Sequence, residues 1–106
     1  MRKIETLMNR AILNSENWQL DNTEVRYDES REVSSVYLFG NLIADIGECT
    51  ITLYDGGRQS ATTKSRLNAI LKENGNGTEK VFQKNRKWFI TYDGITEPFE
   101  SGALLG

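Results

Sequence analysis

Four short stretches between residues 23 and 55 have the pattern of β-strands separated by turns, and this run limits the fold more than any other feature of the chain. In the last stretch, CTITLYD (49–55), Cys49, Ile51 and Leu53 alternate with polar or aromatic side chains. A period of two places these three side chains on one face of a sheet, where we expect Cys49 to pack as a small apolar group. Strands joined by short connections pair in antiparallel fashion, because parallel neighbours need a long crossover. The run therefore predicts an antiparallel sheet.

Two other segments have the 3.6-residue period of amphipathic helices. In KIETLMNRAIL (3–13) the apolar side chains form a single stripe. The second segment, TTKSRLNAIL (62–71), starts with Thr62 and Thr63, which are ordinary N-cap residues. Glycine and asparagine at residues 74–77 supply the left-handed conformations that end a helix. We expect one helix before the strands and one after them.

Two more strands, EKVFQK (79–84) and KWFITYD (87–93), follow the second helix and are joined by a two-residue turn. The predicted element order is α-β-β-β-β-α-β-β. This order is typical of an α+β fold with a mostly antiparallel sheet of about six strands and two helices. We expect residues 1–106 to form a single domain, in which the glycine-rich segment 96–106 is an irregular tail.

The composition argues against several classes of function. With 13 basic and 15 acidic residues, the net charge of −2 provides no global attraction to nucleic acid or anionic lipid. The chain has no histidine, the commonest general base and metal ligand, and its single cysteine excludes an internal disulfide and a cysteine-based zinc cluster. We therefore expect no enzyme, no cofactor and no metal site. No apolar run approaches the roughly 20 residues of a membrane span, so we expect a soluble protein without a membrane partner.

Two basic segments are candidates for contact with anions or nucleic acid. The first, DGGRQSATTKSR (55–66), precedes and begins a helix, whose free backbone N–H groups and macrodipole attract anions. The second, QKNRKW (83–88), places cations next to aromatic rings, as single-strand binding surfaces do. Each segment also has a structural interpretation, as a capped helix and as a solvated turn respectively. The candidate contact residues are Arg58, Thr62, Thr63, Lys64, Arg66, Lys84, Arg86 and Lys87.

The pairing of the last two strands predicts which of their aromatic side chains are buried. It places Trp88 and Ile90 on one face, together with Val81, and Phe82 and Phe89 on the other. We expect Trp88 and Ile90 to belong to the core.

A third candidate surface is the hairpin VSSVYLFGNLIADIG (33–47). Gly40-Asn41 is predicted to be its two-residue turn, since glycine accepts positive φ without strain. With that turn, Val36, Leu38 and Ile43 share one apolar face. The other face is apolar near the turn as well, because there Phe39 faces Leu42 and Tyr37 faces Ala44. Strands that are apolar on both faces need cover on both sides. We therefore expect these three residues to form a protein interface, with a homodimer through this hairpin or an edge strand as one form of it.

The chain also resembles a known group of proteins. The segments that carry the resemblance are Trp18 with Asn22-Thr23-Glu24-Val25, the hairpin VYLFGNLIA (36–44), the helix start TTKSRLNAIL (62–71) and the strands VFQK and WFI (81–90). Together they span about residues 18–99 and are similar to small proteins of unknown function encoded by tailed bacteriophages, including those that infect cyanobacteria. The resemblance implies a phage origin and a place in the cytoplasm of the infected host.

These observations favour a non-catalytic phage accessory protein that binds and modulates a host or phage macromolecule, above all a protein. One alternative is a small nucleic-acid-binding module that uses the helix start at 62–66 and the basic hairpin at 84–87. A second alternative is a structural or assembly component of the phage particle.

Overall fold

The structure is a computed structural model that describes residues 1–105, and these residues form two helices and nine strands. The elements are α1 (Lys3–Leu13), β1 (Trp18–Leu20), β2 (Thr23–Asp28), β3 (Val33–Leu38), β4 (Asn41–Ile46), β5 (Ile51–Leu53), α2 (Ala61–Asn74), β6 (Lys80–Lys84), β7 (Lys87–Tyr92), β8 (Ile95–Pro98) and β9 (Ala103–Leu105). The α+β class and the predicted order of elements are confirmed. Three short strands, β1, β8 and β9, are additional.

All strand pairs are antiparallel, and the strands form two sheets rather than one. The larger sheet has the order β1-β2-β3-β4-β5-β9, and the smaller one has the order β6-β7-β8. The prediction of an irregular tail is wrong for residues 96–105. There β8 completes the small sheet, and β9 returns to pair with β5 at the edge of the large one. Gly106 lies outside the described residues.

The tail is ordered because it carries apolar side chains that complete the core. Phe99 and Leu105 are both buried, and the Phe99 ring packs edge-on against Trp88 with ring centroids 5.5 Å apart. Gly102 has a φ of 93°, which allows the turn into β9, and its N–H donates to the Leu53 carbonyl at 2.8 Å. Gly102 thus lies in a turn between two anchored positions.

The core lies between the helices and one face of the large sheet. Helix α1 packs against β2 and α2, and α2 packs in turn against β4 and β6. Met8 from α1, Leu67 and Ile70 from α2, and Val25 from β2 are all fully buried. The small sheet adds buried side chains to the same cluster through its inner face.

The β3–β4 hairpin differs from the sequence prediction by one residue. Its turn is Phe39–Gly40, with φ of 50° and 78°, and Leu38 pairs with Asn41. Positive φ at both positions is the conformation of a type I′ turn. A register shift follows, because Val36 pairs with Ala44 while Tyr37 pairs with Leu42, so that the residue between them in β4 is a bulge.

This register overturns the predicted protein interface. Val36, Leu38 and Ile43 are exposed by only 0%, 4% and 1%, and all three belong to the core. Val36 and Leu38 lie on the face that the helices cover, and the bulge allows both Ile43 and its neighbour Ala44 to be buried. The apolar character of the hairpin is therefore explained by the core of the protein itself.

The expectation for Cys49 is also wrong. Strand β5 begins only at Ile51, and a tight turn, closed by a 2.8 Å hydrogen bond from the Gly47 N–H to the Thr50 carbonyl, precedes it. Cys49 lies in this turn with its side chain exposed.

Candidate functional site

The beginning of α2 is a capped helix, and its cap differs from the predicted one. Ser60 is the N-cap residue, and its hydroxyl accepts a hydrogen bond of 3.1 Å from the Thr63 N–H. The Thr63 hydroxyl lies 2.9 Å from that of Ser60 and is buried, while Thr62 is half-buried in the first turn. The predicted N-cap role of the two threonines is wrong, because the helix begins at Ala61.

Arg66 is part of a buried network and does not face solvent. Its side chain is exposed by 3%, and its Nη1 donates to Glu5 Oε2 at 2.8 Å. Its Nε donates to the Thr23 hydroxyl at 3.0 Å, and its Nη2 donates to Asn22 Oδ1 at 3.3 Å. The Ser65 hydroxyl also donates to Glu5 Oε2, at 2.6 Å. Every part of the guanidinium therefore has a partner within the protein, and the prediction that Arg66 contacts an anion or nucleic acid is wrong.

The Glu5 carboxylate remains charged within this network. Burial by itself raises the pKa of a carboxyl group, but hydrogen bonds from Ser65, from the Arg66 guanidinium and from the Arg2 N–H outweigh burial. The pKa of Glu5 consequently lies below its ordinary value. The pair links α1 to α2, and the Thr23 contact extends the link to β2.

Among the predicted residues of the helix start, Arg58, Thr62 and Thr63 line a groove, whereas Lys64 does not. Arg58 is exposed and Lys64 is half-buried. The groove has a volume of about 340 Å³ and separates the segment before α2 from the tip of the β3–β4 hairpin. Its lining includes Phe39, Asp55, Arg58 and Thr62. One wall of the groove is thus aromatic and belongs to the hairpin.

Phe39 is not identified from the sequence, because the predicted Gly40-Asn41 turn leaves Phe39 at the end of a strand and not in the turn itself. Within residues 1–105 it is the one aromatic residue among the exposed large hydrophobic side chains, with 73% of its surface accessible. Its N–H donates to the Asn22 carbonyl at 2.8 Å, which holds the turn against the loop before β2. A second groove on the other side of the ring has a volume of about 480 Å³, and its lining includes Asp21 and Glu24. Phe39 therefore stands between two grooves.

The outward face of the small sheet brings together aromatic rings and cations. Phe82 pairs with Phe89 across β6 and β7, and their rings stack with centroids 5.7 Å apart. Lys84 pairs with Lys87 on the same face, and Lys80 lies two residues before Phe82 along β6. We call this surface, formed by Lys80, Phe82, Lys84, Arg86, Lys87 and Phe89, the lysine–phenylalanine face.

The opposite face of the small sheet confirms the predicted division of side chains. Val81, Trp88 and Ile90 are exposed by no more than 4% and lie in the core, whereas Phe82 and Phe89 are half-buried at the surface. The predicted Lys84, Arg86 and Lys87 are all exposed on this hairpin. Sequence reasoning missed Lys80, although strict alternation from Lys84 through Phe82 identifies it as outward-facing.

No group of three or more acidic or cysteine side chains among residues 1–105 is arranged to hold a metal ion. Neither helix in this part is long and apolar enough to cross a bilayer. The absence of enzymatic activity stays a prediction.

Comparison with known proteins gives the family. A family model described as Kyanoviridae Gp96 protein matches residues 1–106, the whole length of the chain. No curated protein and no solved structure matches it. The resemblance to cyanophage proteins is thereby confirmed. This chain belongs to the Kyanoviridae Gp96 family.

Proposed function

We propose that this cyanophage protein is a non-catalytic accessory protein of the infected host cytoplasm that binds a host or phage protein through the tip of the β3–β4 hairpin. The observation that carries the proposal is Phe39, an aromatic side chain that is 73% exposed and has a φ of 50°. Aromatic side chains that become buried when a partner binds often contribute most of the binding energy of a protein interface.

Phe39 contributes little to the stability of the free protein. The left-handed conformation costs a residue with a Cβ about 1–2 kcal/mol, and a largely exposed ring recovers little of it through burial. Asparagine followed by glycine is the favoured sequence of such a turn, and Gly40 already supplies the second residue. A strained, bulky and exposed residue is typical of sites where a ligand is held.

The surroundings of Phe39 suit a protein partner. The grooves on its two sides offer space for the walls of a pocket that receives the ring. The first groove carries both Asp55 and Arg58, whereas the second is lined by Asp21 and no cation, so a partner with an apolar pocket and a basic residue on the side of the second groove would be complementary.

The test replaces the ring without harming the turn. Wild-type protein and Phe39→Asn are immobilised and exposed to lysate of infected host cells, and a retained protein is then purified and titrated. We expect Phe39→Asn to fold and to weaken that purified interaction by tenfold or more, as loss of an interface centre does. The matched control is Leu104→Thr, which removes an exposed apolar side chain from β9.

Several results would contradict the proposal or redirect it. Equal binding by wild-type and Phe39→Asn would show that the tip is not the interface. If sedimentation showed that Phe39→Asn abolishes self-association, the partner would be a second copy of the chain, as in a homodimer. A retained component of the phage particle would favour the assembly role.

A further inference from the structure

The lysine–phenylalanine face concentrates positive charge in a chain whose net charge is −2. Lys80, Lys84, Arg86 and Lys87 are exposed, and the three ion pairs found among residues 1–105 involve none of them. The outward register positions of β7 and β8 hold Thr91, Thr96 and Pro98 and add no acidic side chain. The outward positions of the sheet therefore carry only positive charge, and Glu97, the acidic residue of β8, pairs with Ile90 at a position of the opposite face.

The same face carries an aromatic row between its cations. Phe82, Phe89 and Pro98 occupy neighbouring strands in one register row, and the two phenylalanine rings stack at 5.7 Å. Lys84 and Lys87 lie on one side of this row and Lys80 on the other. Lys80 and Lys84 are four positions apart in β6, which corresponds to about 13 Å along an extended strand.

We propose that the lysine–phenylalanine face binds single-stranded nucleic acid. The cations contact phosphates at both ends of the face, and a base stacks on the aromatic row between them. Sites that bind single strands of any sequence usually combine cations, which contact the phosphate backbone, with aromatic rings, on which the bases stack. Bases in a duplex are already stacked on each other and cannot reach the rings, so the face selects unpaired strands.

The turn of this hairpin supports the assignment. Asn85 and Arg86 have φ of 53° and 65°, so Arg86 occupies a position that glycine fills with less strain. Glycine there would remove one of the four cations from the face. The site is separate from the Phe39 tip, which belongs to the other sheet, and either proposal can fail without the other.

Salt dependence provides the decisive measurement. A labelled oligothymidylate and an oligouridylate of about 12 nucleotides are titrated with the protein at several salt concentrations. If four cations contact phosphates, the slope of log affinity against log salt is about −2.8, and binding weakens about 50-fold for a fourfold rise in salt. Comparison of the two oligonucleotides shows whether DNA or RNA is preferred.

A pair of equally charged variants separates a site from general electrostatics. Two double variants each remove two positive charges: Lys84→Gln/Lys87→Gln and Lys3→Gln/Lys72→Gln. Only the first pair belongs to the face, whereas Lys3 and Lys72 are exposed on the helices. We expect the first variant to reduce the slope to about −1.4 and the second to leave it unchanged. Equal effects of the two variants would overturn the proposal.

The aromatic contribution has its own test. Phe82→Leu keeps an apolar side chain over the sheet but removes the stacking surface, and we expect roughly tenfold weaker binding to the single strands. Binding to inorganic polyphosphate should not change in this variant. Binding of duplex or polyphosphate as tight as that of the single strand, or no measurable binding at low salt, would refute the assignment.

Discussion

Residues 58–66 and residues 80–89 carry similar numbers of cations, yet the fold uses them in opposite ways. In α2 the buried positions recur with the helical period, and Arg66 lies on that stripe between Thr63 and Leu67. In the β6–β7 hairpin the period is two, so each lysine of β6 points away from Val81 and the core. Whether a basic side chain is buried or exposed therefore depends on the period of the helix or strand that carries it, and not on the residues next to it in sequence.

The consequence of this difference is a division of roles. Arg66 and Glu5 join α1, α2 and β2 in a buried network whose polar atoms are all satisfied. The lysines of the hairpin make no such contact and leave their charge available to a ligand. We therefore expect the first segment to stabilise the fold and the second to bind a ligand.

The largest effect is expected for Arg66→Ala. Removal of one partner leaves the Glu5 carboxylate buried without its cation, which typically costs 3–5 kcal/mol. Urea denaturation measures this loss, and Lys87→Ala is the matched control, for which a change within about 0.5 kcal/mol is expected at an exposed site. A stable Arg66→Ala variant would show that the helix start is not structural.

Acidification should weaken the same network. Because the pKa of Glu5 is lower in the folded protein than its unfolded value of about 4.3, the carboxylate contributes stability that is fully present above that value. This contribution is lost as the pH falls through the lowered folded pKa. Denaturation between neutral and acidic pH should show a smaller acid-dependent loss for Glu5→Gln than for the wild type. The same pH dependence in both proteins would exclude Glu5 as a source.

A smaller effect is expected at the cap of α2. Ser60→Ala removes the acceptor for the Thr63 N–H and should lower stability by about 0.5–2 kcal/mol. Thr62→Ala, at a half-buried position that does not cap the helix, should change it less. Thermal melting of the two variants compares their stabilities directly. A larger loss of stability for Thr62→Ala than for Ser60→Ala would indicate that Thr62 is the N-cap residue.

The smallest effect, of opposite sign, is expected at the two hairpin turns. Phe39→Asn and Arg86→Gly each place a residue that tolerates positive φ in a type I′ turn, and each should raise stability by up to about 1 kcal/mol. Melting temperatures measure the gain. A loss of stability in either variant would mean that the native side chain contributes to the fold and is not retained for binding.

Much of the fold could be predicted because local patterns determine it. Alternation over residues 51–53 and in the last two strands, together with the helical stripes, correctly predicted these elements and the inner face of the small sheet. The register of the β3–β4 hairpin could not be predicted, because a bulge at Ile43 and a turn with phenylalanine at positive φ both violate local preference. The incorrect register therefore predicted an exposed interface at residues that are buried and did not identify Phe39 as exposed.

The candidate sites were predictable in part for a similar reason. Lys84, Arg86 and Lys87 could be identified because a turn between strands is exposed wherever the sheet lies. The burial of Arg66 depends on Glu5, which is 61 residues away in sequence. A local sequence pattern cannot predict such a distant partner. The pairing of β9 with β5 is likewise a long-range contact, which the local composition of the tail does not predict.

The most direct test of the contrast compares two variants of equal charge. Arg58→Gln/Lys64→Gln removes two cations of the helix start that lie outside the buried network, and Lys84→Gln/Lys87→Gln removes two cations of the hairpin. In oligothymidylate titrations over a range of salt, we predict that only the hairpin variant reduces the slope, by about 1.4. A reduced slope in the helix-start variant, with an unchanged slope in the hairpin variant, would place the binding surface at α2 and contradict the account.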